Sequence, residues 1–376
     1  MSGILATITL VSFGAAADLW GVTALSPEGS ACEKVAVSGD RLVVQAVLPE
    51  EGIVLYSLST GESRYLDHAA NKSEYFAPEA WYTTGPPDVS GRYATWTRTF
   101  PLLPGKEQGC FMNERGEVVL ADLVASTEQV IDKGYGYGEA VKIAGDLVCW
   151  MESDYSGQEF TSTLRVHDIG EGQTRSVKTF KGAATLGDID GDWVVLTDPE
   201  QKNAVVALNI SEGTEVVLSG PGRNPGDFSV SGGCVLWVKK DVNGLFSKNP
   251  ETFQSISTDS VLSLISLPGG GVQDLASASL AGEGRGPGNI TMDGTDLANA
   301  VIEGDYAAWV LTEYVTGERH SAIVVRRLSD GVGSRIGRDG IIKALFISDG
   351  KLFWQECTAP VAPCQVYCAV PAAAES

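Results

Sequence analysis

The chain has 376 residues, with 27 Lys and Arg against 48 Asp and Glu, for a formal charge of −21. At 43% hydrophobic and 20% charged it is too apolar for a disordered chain, and its acidity sets it against nucleic acid and anionic membranes. Its 44 glycines point to tight turns rather than long helices, and no run of about eighteen uncharged apolar residues offers a transmembrane helix.

In chain order, ILATITLV at 4–11 comes first. Ile4, Ala6, Ile8 and Leu10 alternate with Leu5, Thr7, Thr9 and Val11, which suits a strand. A secretory leader needs early positive charge, and the first Lys or Arg is Lys34. From there an apolar strand, a Gly turn and a second strand recur. The copies are VAVSGDRLVVQA (35–46), DVSGRYATWTR (88–98), VKIAGDLVCWME (141–152) and DIDGDWVVLTD (188–198). FSVSGGCVLWVK (228–239), AVIEGDYAAWVL (300–311) and LFISDGKLFWQE (345–356) complete the series. The turn residues are Gly39, Gly91, Gly145, Gly191, Gly232, Gly304 and Asp349, a spacing near that of propeller blades with loop insertions.

A second register supports the first. Five residues beyond each turn residue stand Val44, Trp96, Trp150, Leu196, Trp237, Trp309 and Trp354. Large flat side chains at that offset are expected to fill the wedge between adjacent sheets, rather than form a ligand-stacking ladder. Each copy but the last is followed by another hairpin, with turns such as STG, SEG and SDG. Four strands per unit and seven units predict an all-β, seven-bladed propeller, one domain over 1–376. The last blade, 342–370, lacks its outer strand, and residues 4–11 are expected to supply it and close the ring.

The strand-turn-strand units, followed by hairpins such as LSTGE at 58–62, resemble seven-bladed β-propellers of the TolB-like and YVTN-type repeat class. That resemblance implies the fold. The class contains binding modules, periplasmic scaffolds and some enzymes, so it leaves function open.

Blade topology puts the short turns on one face and the long connections, 67–87, 99–116, 240–259 and 276–298, on the other. Long loops on a rigid scaffold are where binding groups gather. Just before each inner strand stand Glu33, Asp88, Glu139, Asp188 and Asp227, then Asn299 and Lys343. Five carboxylates meeting at one mouth would recruit a divalent cation such as Ca²⁺ or an amine, with Asp88, Asp188 and Asp227 the metal ligands. The alternative is that each carboxylate simply ends a loop. Asp188, Asp190 and Asp192 lack the Gly and Glu of a calcium loop, and read as a turn.

Trp81, Tyr82, Tyr135 and Tyr137, with Arg98 and Arg223, could stack on sugars or clamp a peptide, or could anchor the loops to the rim. His68, His167 and His320 fall in different blades, and no HExxH, GxSxG, Walker A or CxxC motif occurs. Cys357 and Cys364 flank a six-residue loop and could pair across their hairpin, as suits an oxidising compartment outside the cytoplasm. The reading that follows is a non-catalytic scaffold binding a protein or glycan, without nucleic acid or a transmembrane segment. The alternative is an extracytoplasmic lyase or hydrolase acting on a glycan or polyanion, with a cation at the mouth.

Overall fold

The computed structural model describes residues 20–25, 31–48, 51–68, 82–100, 115–135, 137–154, 159–219, 225–244, 253–285, 290–359, 362 and 364–371. Among these the chain is all-β, apart from a single 3₁₀ turn at Pro199–Gln201, and no helix is long and apolar enough to cross a membrane. All seven strand-turn-strand units form antiparallel pairs, from Ala31–Ser38 with Arg41–Leu48 to Ile341–Ser348 with Lys351–Cys357. Each turns on two residues whose first has a positive φ, between 51° and 58°. Asp349 takes this left-handed conformation where the other six units have glycine, which a short polar side chain tolerates.

Hydrogen bonding gathers these strands into five sheets rather than the seven separate four-stranded blades expected from sequence. Two sheets are eight-stranded, and each spans two repeats. In one, Gln273–Arg285 of the fifth repeat runs into Ile290–Glu303 of the sixth and pairs with it from Leu280↔Gly294 to Gly284↔Ile290. In the other, the last repeat joins the first through the pair Cys32↔Cys364. Much of the connection expected to be a loop is strand, and the ladder runs across the blade boundary.

The inner strands follow one another in a closed cycle. Ala31–Ser38 lies against Asp88–Ser90, and Asp88–Ser90 lies against Tyr137–Ala144. The cycle continues through Thr185–Asp190, Pro225–Ser231, Ile290–Glu303 and Ile341–Ser348, and returns to Ala31–Ser38. Between successive repeats sit seven apolar clusters. The residue five beyond each turn belongs to one of them: Trp96 packs on Val43 and Ile53 of the preceding repeat, and Trp354 on Val310 and Ile323. All five of these tryptophans are 4% exposed or less. Flat rings suit a wedge-shaped gap, and here they fill it.

A strand from ahead of the first repeat lies on the last one. Trp20–Ala24 pairs antiparallel with Cys364–Pro371, from Trp20↔Pro371 to Ala24↔Tyr367. Residues 4–11 lie outside the described residues. Cys357 and Cys364 form the disulfide that their loop spacing allowed.

Candidate functional site

The predicted mouth carboxylates stand at different distances from their turns. Asp88 and Asp188 sit three residues before their turns, inside the ladder, paired with Thr95 and Val195. Glu33, Glu139, Asp227, Asn299 and Lys343 instead fall where the register slips, between Cys32 and Lys34, Tyr137 and Val141, Pro225 and Phe228, Ala298 and Val301, and Ile342 and Ala344. A bulge inserts an extra residue and re-aims its neighbours, so sequence offset and spatial layer part company there. The side chains of Glu33, Glu139 and Asp227 lie outside the described residues, as do those of Tyr135 and Tyr137. Trp81 and Arg223 lie wholly outside them.

Asp88 and Asp188 do share one electrostatic neighbourhood, and Lys142 stands in it. Asp88 Oδ2 accepts the backbone N–H of Ile143 at 2.9 Å, and Asp188 Oδ2 accepts that of Val230 at 2.9 Å, each from the next repeat. All three side chains are partly exposed though set deep in the ring. Asp88 raises the Lys142 ammonium's pKa against the opposing effect of burial. Burial pushes the Asp188 carboxyl up, against the pull of Lys142 and its backbone hydrogen bond. Lys142 thus places a positive charge of the chain's own beside the two carboxylates. Among the described residues no three of His, Cys, Asp and Glu converge as a metal site.

One position before each turn residue runs a layer that sequence reasoning passed over. Ser38 accepts the N–H of Gly91 at 3.0 Å, Ser90 that of Gly145 at 3.0 Å, and Asp190 that of Gly232 at 2.6 Å. Ser231 accepts from Gly304 at 3.3 Å, Glu303 from Asp349 at 3.3 Å, and Ser348 from Gly39 at 2.9 Å. Each bond crosses from one repeat to the next, and Ser348 completes the circuit to the first. In the third repeat the same position is Ala144, which has no side-chain acceptor to offer. The signal was visible as Ser recurring before the turn, and was absorbed into the turn itself.

Tyr82 and Arg98, read as ligand contacts or loop anchors, both engage Asp67 of the preceding repeat. Buried Asp67, 5% exposed, accepts from Tyr82 Oη, from Trp96 Nε1 at 2.7 Å and from Arg98 Nε at 2.7 Å. Arg98 Nη2 also reaches Glu128 Oε1 at 3.0 Å, and its guanidinium lies 5.1 Å over the Tyr82 ring. Burial and Asp67 together push the Tyr82 phenol well above its usual range. The last repeat uses the same chemistry: Glu356 Oε2 accepts Trp354 Nε1 at 2.9 Å and Arg338 Nε at 2.6 Å. A buried carboxylate satisfied by an indole and a guanidinium is structural glue.

His167 is 5% exposed, and its Nδ1 lies 2.9 Å from Thr174 Oγ1. Its Nε2, with Trp150 Nε1, is among the buried atoms lacking a hydrogen-bond partner.

The other feature missed from sequence is a projecting sheet on the long-connection face. Cys234–Gly244, Phe253–Ser266, Gln273–Arg285 and Ile290–Glu303 run 11, 14, 13 and 14 residues, against at most 9 in the first four repeats. Six extra residues lengthen a strand by roughly 20 Å. The expected loops 240–259 and 276–298 are therefore mostly strand. Exposure alternates strictly there: Ser255, Ser257 and Asp259 are exposed while Ile256, Thr258 and Ser260 turn inward. Register places Asp241 opposite Asp259, Ser279 beside it, and Ala281 opposite Asp293, all on the exposed side. The result is a surface of mostly short polar side chains carrying Asp241, Asp259, Glu283 and Asp293, with Lys239 paired to Asp241 at 3.0 Å.

No protein-family model matches the chain, and no curated protein matches it. Solved structures do. The β-propeller domain of the Trilobed protease from Pyrococcus furiosus, described as having an open velcro topology, is 12% identical, with 90% of this chain and 93% of that one covered and a TM-score of 0.55. An oligogalacturonate lyase in complex with manganese is 10% identical over 93% of each chain, with a TM-score of 0.54. The acylaminoacyl peptidase of Pyrococcus horikoshii is 12% identical over 90% of this chain and 51% of that one, with a TM-score of 0.56. At such identities these likenesses show the propeller fold alone.

Proposed function

We propose that this protein is a non-catalytic binding scaffold, a ring of seven four-stranded modules that presents its long-connection face to a protein or glycan. The seven-fold reading rests on the closed cycle of inner strands and the seven apolar clusters between repeats. The two eight-stranded sheets are then pairs of modules fused by the bridges described above. The LSTGE hairpin supports kinship with the TolB-like and YVTN-type class. The Cys357–Cys364 disulfide fits a location outside the cytoplasm.

The observation that carries the binding role is the projecting sheet. Its exposed side is polar and built mostly of short side chains, which lose little rotamer freedom when covered and offer adaptable hydrogen bonding. Its carboxylates favour a basic protein surface or a neutral glycan and disfavour a polyanion. Binding of a panel of basic proteins and neutral oligosaccharides, measured by interferometry, tests this. Asp259→Lys with Asp293→Lys should weaken capture at least tenfold while Asp188→Asn leaves it intact. Affinity indifferent to the double reversal removes the platform from the binding role.

The second reading is an enzyme acting on a glycan or polyanion with a divalent cation. It draws on the closeness of Asp88 and Asp188 and on the manganese-bound lyase of similar fold. Incubation with oligogalacturonate and Mn²⁺ or Ca²⁺ would then release an unsaturated product, and Asp188→Asn would abolish it.

A further inference from the structure

Three cysteines meet at the place where the ring closes. Cys364 begins the strand Cys364–Pro371, with Cys357 as its register partner on one side and Cys32 on the other. Among the described residues, Cys32↔Cys364 is the one backbone pair joining the first repeat's inner strand to the last repeat. Residues directly opposite in adjacent strands project to the same face, with Cα atoms about 4.5–5.5 Å apart, within the range a disulfide spans. Cys32 Sγ lies 3.4 Å from the carbonyl oxygen of Cys364. Gln355 reaches back to fix Cys32, its Nε2 donating to the Cys32 carbonyl at 2.8 Å and lying 3.5 Å from Sγ.

We propose that Cys32, Cys357 and Cys364 form a disulfide relay that can move the bond from within the last hairpin to the seam of the ring. The Cys32 thiolate attacks Sγ of Cys364. The Cys357–Cys364 bond breaks as the Cys32–Cys364 bond forms, and the electron pair leaves on Cys357 Sγ, which takes up the proton that Cys32 gave to solvent. One disulfide and one thiol are present before and after, so the step needs no oxidant or reductant.

The two isomers differ in what they tie together. The observed bond spans a sequence separation of 7. The seam bond would join residues 332 apart and lock the first repeat to the last, a larger constraint on the unfolded chain. Rate follows the thiolate. Burial holds the Cys32 thiol up, while Gln355 opposes that rise, so exchange is slow near neutrality and quickens in alkali.

The full chain, freed of metal and oxidant, is held at pH 7, 8 and 9, quenched with acid and N-ethylmaleimide, and mapped by mass spectrometry. The expected result is a Cys32–Cys364 peptide with a matching yield of alkylated Cys357, appearing about tenfold faster per pH unit and independent of protein concentration. Cys368→Ser should leave this unchanged. Wild type that maps only as Cys357–Cys364 at all three pH values overturns the relay. So does indiscriminate scrambling that draws in Cys368 equally.

Discussion

The hydroxyl of Ser348 accepts the backbone N–H of Gly39 at 2.9 Å across a sequence separation of 309. It is the same bond that Ser38 makes with Gly91 and Ser90 with Gly145, so the last repeat meets the first by the rule used between neighbours. Closure is written into the repeat, and the strand Trp20–Ala24 adds to it through its pairing with Cys364–Pro371. Ser348→Ala should cost about 1 kcal/mol, read by urea denaturation. Ala144→Ser, which restores the absent acceptor opposite Gly191, should be neutral or stabilising by up to about 1 kcal/mol. Loss of stability on adding that hydroxyl would contradict the circuit.

The tryptophans separate packing from hydrogen bonding. Trp96 and Trp354 donate to Asp67 and Glu356, whereas Trp150 Nε1 has no partner among the described residues. Replacing any of them by Ala should cost about 3–5 kcal/mol. Replacement by Phe should cost Trp96 and Trp354 about 1–3 kcal/mol more than Trp150, because each leaves a carboxylate short of a donor. Equal costs for the three Phe variants, measured by chemical denaturation, would show that the indole N–H bonds carry nothing.

Lys142→Met leaves Asp88 and Asp188 without the ammonium beside them. The expected loss is on the order of 1–2 kcal/mol at pH 7. The Asp188 carboxyl already titrates above its usual value, and without Lys142 it should rise further. The penalty is therefore largest where the carboxylate is ionised, and fades as pH falls through that raised pKa. Denaturation of both proteins at pH 7 and pH 4 checks the sign. A gap that widens in acid would refute it.

His167 sets a second pH dependence. Burial lowers its pKa below the ordinary 6.5, outweighing Asp168 and Asp132, which pull it upward. The folded state holds the ring neutral, so below about pH 6.5 the unfolded chain binds a proton that the folded chain refuses. Stability should fall as pH drops through that window. In His167→Gln the slope between pH 7.5 and 5.5 should lose up to one proton, at most about 1.4 kcal/mol per pH unit. An unchanged slope would mean the imidazole is freely solvated.

The parts of the fold that were legible rest on strong local constraints. A positive φ at Gly39 or Gly145 and a wedge that only a large flat ring fills recur at fixed offsets, so turn and tryptophan could be read from letters. The layer of each mouth residue is not legible, because bulges at Cys32/Lys34 and Pro225/Phe228 shift the register without leaving a mark in composition. The sheet around Ser257, Ser279 and Asp293 was taken for loop because its exposed side is as polar as one. The alternation of Ile256, Thr258 and Ser260 against it was the overlooked sign. Arg98 could not be assigned from sequence, since its anchor, Asp67, comes from the preceding repeat.

Ala144 and Lys142 stand where their neighbours carry acceptors, so around the channel the third and fourth repeats meet through an apolar cluster and the attraction of Lys142 for Asp188, while farther out Lys178 reaches Asp198 and Glu215, Arg175 the carbonyl of Ile210, and Glu200 the N–H of Lys181. That seam is tied at its rim and open beside the channel, the reverse of the first seam, where Ser348 holds Gly39 from within. The inner edge of the fourth repeat can therefore loosen without the ring parting. That motion should appear as early amide exchange at Gly191 while Gly39 stays protected.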